Sequence, residues 1–322
     1  MKITLAHGSG GDTTRALIDQ LFVRHLTNPA LDPLGDCARV RGFKRIAVTT
    51  DSFVVTPLFF PGGDIGKLSV CGTVNDLAMG LAAPRYLTCG FILEEGLELD
   101  ALEQVVASMA KTAREAGVVV VAGDTKVVEG RGGLYINTAG VGEILADFCT
   151  MTTGDAILLS GTLGDHHAAI LSSRLNVQNA IESDCAPLHI MVQQLVEGGI
   201  RIKALRDVTR GGLATILNEL AGTHTLRIED TALPISSEVR GFSDLLGLDP
   251  LYMANEGKMV AIVDGQDADK ALSLLRTSPY GKRAVQIGRV TARSEAPVVL
   301  QTALGGSRVL GVLYGEGLPR IC

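Results

Sequence analysis

The clearest structural signal in this chain is the run Val118-Val119-Val120-Val121-Ala122-Gly123-Asp124-Thr125-Lys126. Its apolar first half predicts a buried strand, and the glycine and the acid that follow predict a turn at the strand's end. A second run, Arg45 to Asp51, has a similar form and also ends in an acid. A third run, Leu134 to Ala139, alternates as a half-buried strand does. The first half of the chain is therefore predicted to contain a β-sheet.

Helices are predicted between and beside these strands. Residues 101 to 116 carry apolar side chains at helical spacing, and Gly117 follows them as a stop signal. Residues 70 to 83 form an apolar stretch, with Asn75 and Asp76 inside it, that also favours a helix. Strands and helices in this arrangement are typical of α/β-type halves.

The chain divides near residue 150. A short Thr/Gly stretch from Met151 to Asp155 leads into a new strand at Ala156, after which the pattern of helices and strands starts again. We predict an N-terminal domain over residues 1–150, a C-terminal domain over residues 151–310 and a mobile tail over residues 311–322. The further helices and strand of the second half are predicted at residues 188–197, 213–221, 268–275 and 259–263.

Composition limits the classes of protein to consider. The 322 residues are 46% hydrophobic, include 38 glycines and no tryptophan, and carry a formal net charge of -6. A chain of this length and composition is long enough for two well-packed domains. Because it has no Lys/Arg cluster, it lacks the electrostatic footprint of a protein that binds nucleic acid or an anionic membrane. We therefore expect no nucleic acid and no membrane among its partners.

The N-terminus and the cysteines indicate where the protein works. Residues 1–6 run into a polar glycine loop, and no uncharged apolar stretch approaches the ~20 residues of a membrane helix. The six cysteines include no C-x-x-C pair, which argues against a zinc knuckle and against a disulfide scaffold. We expect a cytoplasmic protein with reduced thiols.

The last four residues, Pro319-Arg320-Ile321-Cys322, place a thiol where a packed core has least use for one. Three glycines between residues 311 and 317 loosen the backbone before it, and Pro319 cannot continue a helix or a central strand. These features predict an arm that carries a reactive thiol at Cys322. The alternative is a disordered chain end of no consequence.

A glycine loop near the N-terminus is the first candidate for binding an anion. In His7-Gly8-Ser9-Gly10-Gly11 the missing side chains of Gly8, Gly10 and Gly11 let backbone N–H groups approach a phosphate, directly before an amphipathic helix. The loop is not a Walker A motif, which needs a lysine after its last glycine. A flexible entry loop is the competing interpretation.

Four acids lie at or near strand ends or inside an apolar stretch. Burying a carboxylate without a partner costs several kcal/mol, so such acids are paired with cations, capped by amides or bound to a metal. Lys126 and Arg210 supply cations nearby in the sequence, and Mg²⁺ favours a few carboxylates together with phosphate oxygens. The set predicts a Mg²⁺-nucleotide site, although a structural role stays open for each acid alone. Its members are Asp51, Asp76, Asp124 and Asp207.

Motifs in the same order along most of the chain resemble those of the aminoimidazole-ribonucleotide-synthetase-like, or PurM-like, ATP enzymes. This resemblance implies an α+β, two-domain fold with a dimer-forming sheet in the N-terminal half, an α/β sandwich in the C-terminal half and a flexible C-terminal tail. The glycine loop and the Cys322 tail narrow it to members that act in [NiFe]-hydrogenase maturation. The motifs are Asp51-Ser52-Phe53, Gly72-Thr73-Val74-Asn75-Asp76-Leu77-Ala78, Ala122-Gly123-Asp124-Thr125-Lys126-Val127, Leu205-Arg206-Asp207-Val208-Thr209-Arg210-Gly211-Gly212 and Asn255-Glu256-Gly257-Lys258.

The resemblance implies an ATP-dependent dehydratase that acts on its own C-terminus. Cys322 would receive a carbamoyl group from the carbamoyltransferase HypF, and the carbonyl oxygen of that group would attack the γ-phosphate of ATP. Loss of phosphate would leave a thiocyanate, whose cyanide goes to iron held by the HypC and HypD partners. The resemblance further implies a homodimer joined through the N-terminal sheets.

The resemblance also implies roles for individual residues. Asp51, Asp76 and Asp207, with Asp124 in the same site, would bind Mg²⁺ and phosphate, and Lys126 would face the triphosphate. Glu256 is the candidate for removing the carboxamide proton; the competing interpretation is an ion pair with Lys258 or a helix cap. The nucleotide site would also include Gly8, Gly10, Gly11, Asn75, Gly123, Thr125 and Arg210.

Two other functions remain open. One is a sister ATP enzyme that acts on a free small molecule, such as selenophosphate synthetase or thiamine-phosphate kinase. Against selenophosphate synthetase, the N-terminal loop has no cysteine to act as nucleophile. The other is a non-catalytic maturation scaffold, which would not need to retain costly buried acids. One departure from the family pattern is the pair His166-His167, which we predict to lie in a loop.

Overall fold

Two large β-sheets, one in each half of the sequence, organise the chain. The computed structural model describes residues 1–294 and 296–314, so Cys322 and most of the predicted tail lie outside the described residues. The strands are β1 (Ile46–Phe53), β2 (Phe59–Phe60), β3 (Gly63–Asp64), β4 (Ala82–Glu94), β5 (Val119–Val128), β6 (Leu134–Ile144), β7 (Ala156–Leu159), β8 (Ile202–Asp207), β9 (Thr225–Glu229), β10 (Met259–Val263), β11 (Val285–Thr291), β12 (Val298–Gln301) and β13 (Ser307–Val309).

The helices pack on these sheets and connect them. The first helical segment begins as α-helix, continues as a π-helix over Ile18–Val23 and ends as α-helix. Short 3₁₀ turns occur at Leu5–Gly8, Asp230–Ala232 and Pro250–Tyr252. The α-helices are α1 (Asp12–Leu17), α2 (Arg24–Leu26), α3 (Ile65–Met79), α4 (Leu99–Glu115), α5 (Asp165–Leu175), α6 (His189–Glu197), α7 (Gly212–Leu220), α8 (Ser237–Leu246) and α9 (Ala268–Thr277).

The N-terminal sheet has four strands in the order β1-β6-β4-β5 and two unlike faces. Its inner face packs on α3 and α4, with Leu87 and Ile136 among its core residues. Its outer face exposes apolar side chains, including Val48 (71% exposed) and Ile92 (45%). Alternating side chains on one sheet point to opposite faces, which explains why exposed and buried residues interleave along β1.

The C-terminal sheet has seven strands in the order β13-β12-β9-β11-β7-β10-β8 and is covered on both faces. Leu158 belongs to the core beneath α6 and α9, whereas its neighbour Leu159 belongs to the core beneath α7. The central strands β7 and β10 are therefore buried throughout, as strands covered on both sides must be. This arrangement is the two-domain PurM-like fold with α+β composition that the sequence predicted.

Several predicted element ends were wrong, and the errors affect the candidate site. Gly123 and Asp124 lie inside β5 rather than in a turn after it, because the strand continues in parallel register along β4 through Gly90 and beyond. Asp51 likewise lies inside β1, paired with Thr138. Tertiary pairing overrides the low strand propensity of aspartate and glycine here.

Two helical assignments also differ from the prediction. The helix predicted over residues 70–83 begins earlier and ends at Met79, because Leu81 adopts a left-handed backbone conformation (φ 54°) and β4 begins at Ala82. His166 and His167 lie in the first turn of α5, buried, rather than in a loop. In the described part of the chain, no helix combines the length and the hydropathy needed to cross a bilayer.

Candidate active site

A cavity of about 790 Å³ lies between the two halves of the chain. Strand β1 and helix α3 of the N-terminal half form one side, and strand β8 with the loop after it forms the other. Interfaces between domains are common places for ligand sites. The polar and charged residues that line the cavity are Thr49, Thr50, Asp51, Ser52, Asp76, Lys203, Arg206, Asp207, Thr209, Arg210 and Glu256.

Asp51 and Asp76 meet because a glycine on α3 leaves room beside β1. A Cβ atom added at Gly72 would lie 2.7 Å from a ring carbon of Phe53 and 3.7 Å from an oxygen of the Asp51 carboxylate. Asp76 follows Gly72 by one helical turn and therefore lies on the same side of α3. It accepts a hydrogen bond of 2.9 Å from the hydroxyl of Thr49 on β1.

Asp207 joins these two acids from the C-terminal half. Burial, with the nearby Asp76 and Asp51 carboxylates, raises the pKa of Asp207 to about 7. Burial also raises the pKa of Asp76, to which the Asp51 charge contributes. Arg206 and Arg210 act in the opposite direction on Asp76 without cancelling the shift. The cavity thus holds a carboxylate cluster that its own cations do not neutralise.

Glu256 extends the same cluster toward the interior. It is buried, and its pKa is raised well above the usual value by burial and by the charges of Cys185, Asp207 and Asp184. The structure does not contain the competing ion pair between Glu256 and Lys258. The Lys258 ammonium donates to Asp184 at 3.0 Å instead, so the Glu256 side chain faces the cavity.

Asn75 has a different position from the other predicted binding residues. Its amide nitrogen donates to the carbonyl of Ala186 at 3.1 Å, and its amide oxygen accepts from the N–H of Leu188 at 2.8 Å. It is 2% exposed and does not line the cavity. Asn75 therefore ties α3 to the segment before α6 and holds the neighbouring Asp76 in place.

The remaining predicted residues, except Gly11, line a second cavity of about 480 Å³, between the N-terminal helix and the edge strand β5. Gly11 is the N-cap of α1 and lines neither cavity. Asp124 and Lys126 form an exposed ion pair of 3.4 Å there. In the register of the sheet Asp51 lies level with Gly123, so Asp124, one residue further, belongs to the opposite face. Within one chain these residues do not join Asp51. The predicted residues at this cavity are Gly8, Gly10, Gly123, Asp124, Thr125 and Lys126.

The described residues do not by themselves form a complete metal site. Among the residues that the structure describes, no three histidine, cysteine, aspartate or glutamate side chains are arranged to hold a metal ion. The predicted set of four aspartates is therefore divided into three acids at the first cavity and Asp124 at the second.

The described chain ends close to the first cavity. The N–H of Leu313 donates to the hydroxyl of Thr215 on α7 at 3.2 Å, and the hydroxyl of Tyr252 donates to the carbonyl of Gly311 at 3.1 Å. The loop that leads into α7 carries Thr209 and Arg210, both of which line the cavity. The end of the described chain is thus held against α7, whose preceding loop lines the cavity.

Comparison with known proteins decides the family. The N-terminal and C-terminal domain models of AIR synthase related proteins match residues 34–144 and 152–301. The carbamoyl dehydratase HypE of Rhodobacter capsulatus is 47% identical over 337 residues, which cover 100% of this chain and 98% of that protein. The chain belongs to the HypE family of carbamoyl dehydratases.

Solved HypE structures agree with the fold described above. A hydrogenase maturation protein HypE in complex with ATP matches with a TM-score of 0.95 and 52% identity, over 99% of both chains. A HypE-HypF complex contains a chain that matches with a TM-score of 0.79 and 43% identity, over 92% of this chain and 100% of that one. The HypE family therefore accounts for the chain over its whole length.

Sequence reasoning about this HypE-family chain missed several residues of the cavity. Thr49 holds Asp76, Arg206 faces the acids, and Phe148 lines the cavity from the segment between the two sheets. Thr49 lies two residues before Asp51, so the alternation of side chains along a strand offered a signal for it. Arg206 lies inside a quoted motif but was not assigned a role. Phe148 has no such neighbour, because its position depends on how the two halves pack.

Proposed function

We propose that this chain uses ATP to dehydrate a carbamoyl group on the sulfur of its own Cys322, giving a thiocyanate that supplies the cyanide ligand of [NiFe]-hydrogenase iron. The observation that carries the proposal is the hydrogen bond from Leu313 to Thr215, which holds the end of the described chain beside the acid-lined cavity. Eight residues follow Tyr314, and they can span at most about 26 to 29 Å. We propose that Cys322 enters the cavity within that reach.

Nucleotide binding is supported by the HypE relative that was solved with ATP, and we propose this cavity as its site. Phosphoryl transfer depends mainly on positioning and on charge stabilisation, and a carboxylate cluster attracts the divalent cation that accompanies a triphosphate. Three aspartates fit the task of binding this cation, because their negative charges repel one another in the folded chain. They are Asp51, Asp76 and Asp207. Bound Mg²⁺ would neutralise charge that develops on the phosphates. Arg206 and Arg210 would orient the nucleotide.

Cys322 is the acceptor in this proposal, and Glu256 is the base. The carboxamide oxygen attacks the γ-phosphate and displaces ADP, while Glu256 takes one N–H proton and an iminophosphate forms. Loss of the second N–H proton together with phosphate then forms the C≡N bond, so that one water is removed overall. A raised pKa makes an ionised carboxylate a stronger proton acceptor, and burial keeps bulk water from competing. A cation bound at the nearby aspartates would lower the pKa of Glu256 and keep it ionised.

A homodimer completes the proposed site. The outer face of the N-terminal sheet is exposed and apolar, and it can pack against the same face of a second copy of the chain. Asp124 and Lys126 lie toward that face, so a second copy can bring them to the triphosphate when their own chain cannot. This is the arrangement in which Lys126, Gly123, Thr125 and the N-terminal glycine loop contribute to catalysis.

The partners follow from the same chemistry. HypF is proposed to carbamoylate Cys322, in agreement with the HypE-HypF complex of a relative. The HypC-HypD complex is proposed to receive the cyanide. The domain limits at residues 150 and 310 and the cytoplasmic location stay predictions.

Intact-protein mass spectrometry tests the proposal. The chain is incubated with HypF, carbamoyl phosphate and ATP, then with further MgATP, as wild type, as Cys322→Ala and as a Cys37→Ala control at another exposed cysteine. We expect one carbamoyl group on the C-terminal peptide of wild type and control, followed by loss of one water that depends on ATP hydrolysis. Cys322→Ala should show neither change.

The same experiment separates the alternatives. ATP consumption on a free small molecule with no adduct on Cys322 would identify a sister enzyme and end the proposal. An adduct that never loses water would identify a carrier or scaffold.

A further inference from the structure

We infer that Phe148 is the stacking platform for the nucleobase and that the nucleotide lies along the first cavity with its base at the Phe148 end. This inference rests on the proposed function, since it assigns an orientation to the ATP of that site. It concerns the part of the cavity that the carboxylate cluster does not occupy. Phe148 lines the cavity and is 45% exposed, so its ring is accessible to a ligand that enters there.

Two contacts fix Phe148 at one end of the cavity. Its neighbour Asp147 pairs with Arg45, directly before β1, and its other neighbour Cys149 donates its N–H to the carbonyl of Ile202 at the start of β8 (2.8 Å). Phe148 therefore stands where β1 and β8 begin. Both strands run from there along the walls of the cavity.

The acids occupy the opposite end of the same two strands. Asp51 follows Arg45 by six residues and Asp207 follows Ile202 by five, so at about 3.3 Å per residue they lie roughly 16 to 20 Å further along. Helix α3 has the same two ends along the cavity. Met79 and Gly80 line it beside the first residues of β1, and Gly72 lies beside Asp51. An extended nucleoside triphosphate can span this distance.

Among the described residues that line the cavity, those at the Phe148 end offer no unpaired charge for a phosphate. Lys203 there is 8% exposed and is shared between Asp155 at 3.8 Å and Asp264 at 3.6 Å. The other side chains at this end are apolar or absent, including those of Ala47, Met79 and Gly80. A flat aromatic base therefore suits this end and the phosphates suit the other.

Binding measurements can test the Phe148 assignment directly. Base stacking on an aromatic side chain is worth about 1–3 kcal/mol, so Phe148→Ala should weaken ATP binding by about 5- to 150-fold in Kd. It should leave the Kd of inorganic tripolyphosphate unchanged, because that probe has no base. Phe148→Tyr should restore ATP binding. A merely structural role of Phe148 would weaken both probes together.

The absence of tryptophan from the chain allows a second, independent readout. In Phe148→Trp the new indole is the sole tryptophan, and ATP should quench its fluorescence whereas tripolyphosphate should not. The matched control is Phe59→Trp, at a phenylalanine on β2 that is 41% exposed and does not line the cavity. Its fluorescence should not respond to ATP.

The outcomes separate the two claims. If wild type binds ATP but Phe148→Ala binds it equally well and the tryptophan at 148 does not respond, the assignment of Phe148 is wrong and the proposed function stands. If calorimetry detects no ATP binding to wild type, both are overturned.

Discussion

Asp51 and Asp124 lie on opposite edge strands of one four-stranded sheet and on opposite faces of it. The register runs from Asp51 through Thr138 and Cys89 to Gly123, which places their Cα atoms three strand spacings, or about 14 Å, apart. Both residues belong to the motifs that resemble the PurM-like ATP enzymes. One chain alone cannot bring them to the same phosphate group, and this is why the proposed site requires a second copy.

Mixing two inactive variants tests whether the site is shared between chains. Asp51→Asn and Lys126→Ala should each abolish ATP-dependent dehydration. Co-refolded at equal amounts, they should recover about a quarter of wild-type activity, because half of the dimers are mixed and each mixed dimer has one intact site.

The mixing experiment needs a control that separates shared from unshared sites. Asp51→Asn mixed with Asp207→Asn gives no intact site in either chain arrangement, since both acids line the cavity of the same chain. If the mixture of Asp51→Asn with Lys126→Ala also recovers no dehydratase activity, each chain uses only its own residues.

The ion pair between Asp184 and Lys258 should be essential for stability. Their side chains are 4% and 11% exposed, and the Asp184 carboxylate also accepts from the N–H groups of Glu256 and Gly257. Removing one partner of a buried pair costs about 3–5 kcal/mol, so Lys258→Met should lower the free energy of unfolding by that amount. Urea denaturation measures it.

A matched surface pair serves as the control for Lys258. Arg15 and Asp19 pair at 2.9 Å on the exposed side of the first helical segment, and Arg15→Met should cost less than about 1 kcal/mol. Equal effects of the two substitutions would contradict a special role for the buried pair.

The contribution of Asp207 to the stability of the chain without ligand should fall as the pH rises from about 4 to about 7. Burial lowers the pKa of His167 to about 4, and His167 acts in the opposite direction over much of this range. The Asp207 pKa is raised to about 7 in the folded chain, whereas an unfolded aspartate titrates near 4. Between these values the folded chain retains a proton that the unfolded chain releases, so ionisation increasingly favours unfolding and the full cost is present above about pH 7. Asp76 and Glu256 act in the same direction.

Asp207→Asn should remove the Asp207 part of this pH dependence. The variant should be more stable than wild type at pH 8, by on the order of 2–4 kcal/mol, and similar to it at pH 4. Urea unfolding at both values measures the difference, with the exposed Asp244→Asn on α8 as the control. Parallel pH profiles of wild type and Asp207→Asn would rule out the carboxylate cluster as the cause.

Gly72→Ala should disturb the contact between α3 and β1. The new Cβ atom would lie 2.7 Å from the Phe53 ring, so overpacking should cost about 1–3 kcal/mol and displace Asp51 relative to Asp76. We expect weaker ATP binding in addition to a lower melting temperature.

Another helical glycine provides the control for Gly72. Gly241 lies in α8 with no atom within 4 Å of an added Cβ, and Gly241→Ala should stabilise by about 0.5–1 kcal/mol. Unchanged ATP binding by Gly72→Ala would show that the glycine does not set the position of Asp51.

Much of the candidate site could be predicted because its motifs are local. Asp51, Asp76, Asp207, Arg210 and Glu256 were identified from short sequence patterns, and the structure brings them to one cavity. The sequence pattern nevertheless predicted that Asp51 and Asp124 follow their strands. In the structure β1 and β5 extend beyond these residues because both strands continue to pair with their neighbours, and the pattern of one strand does not contain that information.

Features that depend on neighbouring residues could be predicted from the amino-acid pattern: the apolar period of the helix at 101–116, the apolar run of β10, the motif acids and the terminal cysteine. The folded chain was needed to show which face of a sheet Asp124 occupies, which carboxylate Lys258 pairs with, and which end of the cavity Phe148 lines. These relationships join residues far apart in the chain, and they depend on strand register and domain packing. Side-chain period is local, whereas register and packing are properties of the whole fold.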